Sequence, residues 1–256
     1  MDSDDEPIAL SAHALAALQE FKTEEKQRIE KFESLYRASE ERFDEQRDAQ
    51  SQVTIDDFKE DWQLSQFWYA DETARTLALA LLEGADEDTV VVIASAPSVY
   101  AAIKQLPANK VPTRQIYLLE YDPRFRILAG NDHFAVYDYQ KPYDVPSHLK
   151  HKCHRLLIDP PFLEEECQTK SAQAAQNLLV AESLWQEKTK SGDSKFKLVS
   201  STGERMKDVV LKSYPGIQVT DFLPEHKNGL SNEFRCYANF EGSYWKFNTT
   251  DSHQKV

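Results

Sequence analysis

The sequence predicts a doubly wound α/β sheet that ends in an antiparallel hairpin, with a helical extension in front of it. Three observations carry this. Short apolar, β-branched runs recur from about residue 89 onward, as strands buried on both faces do. Stretches of helical length separate most of them, which is the alternation of an α/β fold. Near the C-terminus, Ile217–Leu223 and Glu233–Phe240 are separated only by a polar loop, which predicts a hairpin.

The extension comes first. Over residues 8–50, Leu15, Leu18, Phe21, Ile29, Phe32 and Tyr36 recur at helical spacing, and no Pro or Gly interrupts from Ile8 to Leu82. Charge pairs such as Glu24–Arg28 sit four apart. Residues 51–65 read as a polar, acidic linker with the boundary near Phe58 to Gln63. This divides the chain into an acidic helical extension (1–60), a folded domain (61–247) and a polar, disordered tail (248–256). In the domain, the aromatic cluster Gln66-Phe67-Trp68-Tyr69 precedes a helix from about Asp71 to Leu82, stopped by Gly84. Thr89–Ala94 is the first strand. Ser95-Ala96-Pro97-Ser98 breaks it, and Pro97 starts a helix through about Gln105. Gln115–Leu119 is the second strand and His133–Tyr137 the third. Arg155–Ile158 is the fourth, followed by Asp159-Pro160-Pro161-Phe162. Helix is expected over 164–189, strand over Lys195–Ser200, and helix over Thr202–Lys212, stopped by Pro215-Gly216.

With 256 residues and 41% hydrophobic content, the chain can build one large core plus an extension. No apolar run reaches the roughly 18 residues a membrane span needs. The acidic start Met1-Asp2-Ser3-Asp4 is not a signal peptide. Cys153, Cys167 and Cys236 show no paired spacing, so free thiols in a reducing compartment are expected. These features point to a soluble cytoplasmic protein, and with no sustained heptad, to a monomer. Net charge is −13, concentrated in residues 1–61, which hold 18 Asp and Glu against 8 Lys and Arg. No Lys/Arg cluster suits a nucleic-acid backbone. The acidic arm fits a basic protein partner, or is a solvated helix without one.

In open α/β sheets ligands bind beyond the carboxyl ends of the strands. Ser95, Glu120, Asp122, Asp138 and Asp159 each follow a predicted strand. Asp159-Pro160-Pro161-Phe162 is the sharpest of these signals. Proline fixes φ and removes an N–H, and the residue before it is extended. Asp159 and the Pro160 carbonyl can then accept two hydrogen bonds from one –NH2 group, while Phe162 offers a ring face to a flat or cationic group. Taken alone, the same residues also make a Pro-rich turn whose Asp caps the next helix. A nucleotide-binding turn normally needs glycines, yet the chain has seven, none between Gly84 and Gly130. Small Ser95, Ala96 and Ser98, with free N–H groups where the helix starts, suit a phosphate-free ligand such as S-adenosylmethionine. Glu120 or Asp122 would accept from its ribose hydroxyls. Glu120 could instead pair with Arg124 or Arg126. His148, His151, Cys153 and His154 match no zinc spacing, so no metal is expected. The acids beside Cys167 would raise its pKa, against a nucleophile.

Six segments together resemble one family closely: Gln66-Phe67-Trp68-Tyr69, Ser95-Ala96-Pro97-Ser98-Val99-Tyr100, Glu120-Tyr121-Asp122, Tyr137-Asp138-Tyr139, Asp159-Pro160-Pro161-Phe162-Leu163 and Asn232-Glu233-Phe234-Arg235-Cys236-Tyr237. This is the eukaryotic elongation factor 1-alpha lysine methyltransferase family, once labelled adenine-specific DNA methyltransferases. The resemblance covers roughly residues 60 to 245. It implies a seven-strand, Rossmann-like methyltransferase fold, S-adenosylmethionine as cofactor, and N-methylation of a lysine on translation elongation factor 1-alpha. It implies that Asp159, Pro160 and Phe162 sit at the target nitrogen, with Phe162 standing where many relatives have Tyr. Gln66, Phe67, Trp68 and Tyr69 would close over the cofactor. Ser95, Ala96, Pro97, Ser98, Glu120, Asp122 and Asp138 would complete its site. The family shares the missing glycine fingerprint. Two other readings stay open at this level: an adenine amino-methyltransferase on nucleic acid, and a non-catalytic binding module for a basic translation factor.

Overall fold

The computed structural model describes residues 54–60, 66–230 and 232–248, all within one compact unit, Gln50–Val256. The helix expected over 8–50 and the tail beyond residue 248 lie outside the described residues. Seven strands form one sheet. β1 (Val91–Ala94) and β4 (Arg155–Ile158) run side by side, and every residue of both is buried. β2 (Ile116–Glu120) and then β3 (Phe134–Val136) extend the sheet beyond β1. Beyond β4 come β5 (Lys197–Gly203), β7 (Phe234–Ala238) and β6 (Gln218–Val219). β1 to β5 are mutually parallel, and β7 runs antiparallel to both of its neighbours. The expected hairpin is therefore present, with its second strand inserted between β5 and its first.

Among the described residues five α-helices accompany the sheet: α1 (Asp71–Leu82), α2 (Pro97–Gln105), the single turn α3 (Arg126–Ala129), α4 (Glu165–Leu178) and α5 (Lys207–Ser213). Side chains alternate across each strand. Val92, Ala94, Leu156, Ile158 and Leu198 join Ala172, Ala175, Leu178 and Val210 in one apolar cluster, so α4 and α5 cover that face. Helices α1 and α2 pack against each other. Upstream, Ile55 and Phe58 are buried, and Phe58 stacks on Phe125 at 4.4 Å.

Two expectations need correction. The helix foreseen over 164–189 stops at Leu178. Leu179 turns extended because the chain there pairs with Cys153: Cys153 N donates to Leu178 O and Val180 N to Cys153 O, both at 2.9 Å. Burying Leu179 and Val180 in a short ladder outweighs prolonging a polar helix. The helix foreseen from Thr202 starts at Lys207, because β5 runs on and pairs Thr202 with Arg235 and Gly203 with Phe234.

The amino end of the sheet is clamped by two buried cations. Arg155, fully buried, donates from Nη1 to Leu81 O (2.7 Å) and Glu83 O (2.8 Å), from Nη2 to Ser194 O (2.9 Å) and from Nε to Lys195 O (3.3 Å). Lys197 Nζ donates to Glu83 O (2.8 Å) and Ala80 O (3.3 Å). These are carbonyls at the C-terminus of α1, which lack helical partners and favour positive charge. Burial pushes Arg155 down to about 10 and Lys197 down to about 8, so both stay largely charged at neutral pH. Replacing Arg155 with Leu strands the carbonyls of Leu81, Ser194 and Lys195, since Lys197 still holds that of Glu83, and should lower the unfolding free energy by about 3 kcal/mol in a denaturant melt. A loss below about 1 kcal/mol would mean the clamp is dispensable.

Candidate active site

A cavity of about 630 Å3 opens at the carboxyl edge of the sheet. Strand register builds it. Ala94, Leu119 and Ile158 stand level with one another, and Ile158 with Ser200; the chain leaves β1 and β4 at this height and β2 one residue later, while β5 runs on to Gly203. The pairing continues one step into the exits: Ser95 N donates to Leu119 O (2.8 Å) and Asp159 N to Ala94 O (3.0 Å). Ser95 adopts φ +57° there. This left-handed conformation is one that L residues avoid at a cost of roughly 1–2 kcal/mol. The glycine-poor turn thus still needs a left-handed residue, and a short polar one supplies it before α2 begins.

Of the residues expected at the site, all but two line this cavity: Gln66, Phe67, Trp68, Ser95, Ala96, Pro97, Ser98, Glu120, Asp138, Asp159, Pro160 and Phe162. Tyr69 lies beneath it, 1% exposed. Its hydroxyl donates to Asp159 Oδ2 at 2.6 Å and stands 2.7 Å from Ser201 Oγ. Its ring packs on His226 at 4.7 Å, and the backbones of Tyr69 and His226 bridge. Tyr69 is therefore geared to Asp159 and not to the cavity. Asp122 is also outside the lining. It caps the turn Pro123–Phe125 by accepting from Arg124 N (2.9 Å), pairs with the Arg124 guanidinium (2.5 Å) and accepts from Gln66 Nε2 (3.2 Å). The arginine pairing weighed for Glu120 falls on Asp122 because Asp-Pro-Arg folds back on itself.

The electrostatics follow from burial. Asp159 borders the open cavity, but the protein packed round its carboxyl pushes it up to about 8, with the Tyr69 bond opposing and Glu120 adding to the rise. Glu120, whose Oε1 accepts from Tyr121 N at 3.0 Å, is pushed up to about 7, again mainly by burial. Tyr69 is held well above its ordinary value by burial and then by the Asp159 charge, so it remains a donor. His226 lines the cavity between Tyr69 and Phe234, and burial pushes it down to about 4, leaving it neutral. Tyr139 stands edge-on to Phe162 at 5.7 Å.

Sequence reasoning passed over several lining residues. Tyr139 and Phe234 lay inside quoted segments without being singled out. Arg205, His226 and Leu230 come from polar stretches that carry no signal. Cys167 is pushed up to about 11, chiefly by burial and only slightly by the neighbouring acids. Among the described residues no group of His, Cys, Asp or Glu converges on a metal site. His154 Nδ1 instead accepts from Val90 N at 3.0 Å.

Comparison with known proteins adds to this geometry. The profile of a family described as probable N6-adenine methyltransferase matches residues 60–242. The chain is similar to protein-lysine N-methyltransferase EFM5 of Saccharomyces cerevisiae, 58% identical over 93% of this chain and 94% of that protein. It is similar to the EEF1A lysine methyltransferase 1 of Gallus gallus, 36% identical over 94% of this chain and 98% of that one. The human protein of the same name is 35% identical over 93% and 94% respectively.

The raised Asp159 fixes a pH dependence of stability. A group whose folded pKa lies above its unfolded value stabilises fully below the unfolded value, about 3.9, and loses that contribution as pH climbs through the folded value of about 8. Asp159→Asn lacks this loss. Its stability relative to wild type should therefore increase from pH 5 to pH 8 in paired denaturation curves. A difference that does not change with pH would show Asp159 to be unperturbed.

Proposed function

The chain belongs to the family described as probable N6-adenine methyltransferases, and from that premise we propose that it methylates a lysine side chain of translation elongation factor 1-alpha. It is a methyltransferase, and its methyl donor is S-adenosylmethionine. The residues fit that donor. Gln66 lines the cavity with its Oε1 buried and without a hydrogen-bond partner, Glu120 offers a carboxyl at the end of β2, and the Ser95–Ser98 turn leaves room without phosphate-binding glycines. In this reading the Gln66–Trp68 segment, that turn, Glu120 and Asp138 hold the donor, and Asp159, Pro160 and Phe162 hold the target nitrogen. When bound, S-adenosylmethionine supplies an electrophilic methyl group on a cationic sulfur.

One observation favours lysine over adenine as the target. Asp138 and Glu164 line the cavity against a single arginine, Arg205, and Glu120 and Asp159 add negative charge once a bound cationic donor draws off their protons. A duplex bears about one negative charge per 1.7 Å and meets repulsion here, whereas an ammonium is drawn in. The names of the yeast, chicken and human relatives support the same target class. A free lysine titrates near 10.4 and must lose a proton before it can attack. Tyr69, locked as a donor, orients the Asp159 carboxyl. Asp159 accepts an N–H from the amine and receives its proton, a task suited to a group poised near 8. The Pro160 carbonyl accepts the second N–H, and the Phe162 and Tyr139 rings wall the cationic approach. We place this activity in the cytoplasm, carried out by a monomer.

Transfer of labelled methyl to purified elongation factor 1-alpha tests the reading, with a DNA oligonucleotide and Asp159→Ala run in parallel. Label should appear on the protein, and Asp159→Ala should cost at least about a hundredfold in kcat while leaving donor affinity nearly intact. Label on DNA alone would move the target to adenine. A second consequence concerns protons. In the free protein Asp159 and Glu120 retain much of their protons near pH 7, and a cationic sulfur nearby lowers both pKa values. Calorimetry in buffers of different ionisation heat should therefore register proton release on binding S-adenosylmethionine and little on binding S-adenosylhomocysteine, whose sulfur carries no charge. Equal release with both ligands would separate the carboxyls from the sulfur charge.

A further inference from the structure

The loop from Asp159 to Glu164 has few backbone means of holding its shape. Pro160 and Pro161 have no N–H. Backbone hydrogen bonds frame it at the two ends, from Asp159 N to Ala94 O (3.0 Å) and from Gln168 N to Glu164 O (3.1 Å). Between them, two carbonyls are taken by side chains. Leu163 O accepts from Arg205 at 2.5 Å, and Phe162 O accepts from Gln168 Nε2 at 3.1 Å. The same Nε2 donates to Thr202 Oγ1 on β5 at 3.0 Å. Gln168 lies in the first turn of α4 and is fully buried, and its Oε1 has no hydrogen-bond partner. A buried amide acceptor left unpaired costs about 1–3 kcal/mol. An apolar side chain of the same size would avoid that cost, so the amide stays for what its nitrogen holds. The loop is confined from the far side as well. Leu163 packs on Gly203, where a Cβ would approach its methyl groups to 2.9 Å.

We infer that Gln168 is a positioning residue for methyl transfer: by tying the Phe162 carbonyl to β5 it sets the Phe162 ring and the Pro160 carbonyl at the target amine. This rests on the reading that Asp159 to Phe162 grips that amine. Gln168 touches neither substrate nor donor, and its effect reaches the reaction through the loop. A shift of about 1 Å in such a grip can cost on the order of a hundredfold in rate.

The experiment uses the full chain, labelled S-adenosylmethionine and purified elongation factor 1-alpha. The kcat, KM and donor affinity are measured for Gln168→Leu, Gln168→Glu and Asp159→Ala. Gln168→Leu should lose about ten- to a hundredfold in kcat, with donor Kd within about twofold of wild type. Gln168→Glu separates positioning from packing. Its neutral carboxyl has an O–H to give the Phe162 carbonyl and its carboxylate has none, and burial raises the pH at which it ionises. Its kcat relative to wild type at the same pH should exceed that of Gln168→Leu at low pH and fall as pH rises. If Gln168→Leu does not fold, the Glu variant decides alone: a falling ratio supports the inference and a flat one overturns it. Two equally impaired variants at every pH, two unimpaired variants, or donor affinity lost in step with kcat also overturn it. Asp159→Ala distinguishes the failures. An active Asp159→Ala removes the amine-site reading itself, whereas an inactive one beside unimpaired Gln168 variants removes only the role of Gln168.

Discussion

The common register of four parallel strands at the carboxyl edge of the sheet is the constraint on which the rest of this structure depends. With Ala94 opposite both Leu119 and Ile158, and Ile158 opposite Ser200, the next residues in each strand, Ser95, Glu120, Asp159 and Ser201, emerge side by side. Side chains alternate across a strand, so a slip of one residue would turn Asp159 to the wrong face and carry Ser201 out of reach of Tyr69. What prevents the slip lies at the other end of the sheet. Arg155 and Lys197, one at the start of β4 and one at the start of β5, bind the last carbonyls of α1 and the residues before β5. Charge buried far from the cavity thus fixes the height at which the cavity's carboxyls stand.

Much of this was legible in the chain, for a physical reason. A strand buried on both faces must be continuously apolar, so Val91–Ala94 and Arg155–Ile158 stand out, and the rule that ligands sit beyond carboxyl ends turns strand prediction into site prediction. Twelve expected site residues meet in one cavity because each follows a strand or belongs to the aromatic segment before α1. The exceptions are instructive. Asp122 was indistinguishable from Glu120 by position, and only the fold-back of Asp-Pro-Arg separates them. Tyr69 sat among aromatics that do face the cavity, yet its partner lies 90 residues away. Gln168 and Arg155 hold carbonyls 6 to 74 residues distant, and no local periodicity encodes such bonds. The overshoot of the helix after Glu164 has a similar origin, since Leu178 to Val180 stop being helical only because Cys153 is there to pair with them.

The cavity also shows a conflict between stability and chemistry. Burying Asp159 and Glu120 together disfavours their charged forms, and an apolar floor would be the more stable choice. A polar frame makes the burial tolerable. Tyr69 and Ser201 stand behind one carboxyl, and the Tyr121 amide bonds the other. Burial moves a carboxyl that water would hold near pH 4 up to about 8, which in the proposed reading suits it to take up the proton of the amine.

The contact between Gly203 and Leu163 carries a consequence for sequence variation. The two residues belong to different elements, one ending β5 and one closing the motif loop, and they meet so closely that a single added carbon at position 203 would press into the leucine. Drift at either site is therefore not independent. A lineage that acquires Ala at 203 must turn or trim the side chain at 163, and one that enlarges 163 favours glycine at 203. Descendants of this chain should exchange these residues as a pair, leaving a covariation signal that reports the height of the motif loop above the sheet.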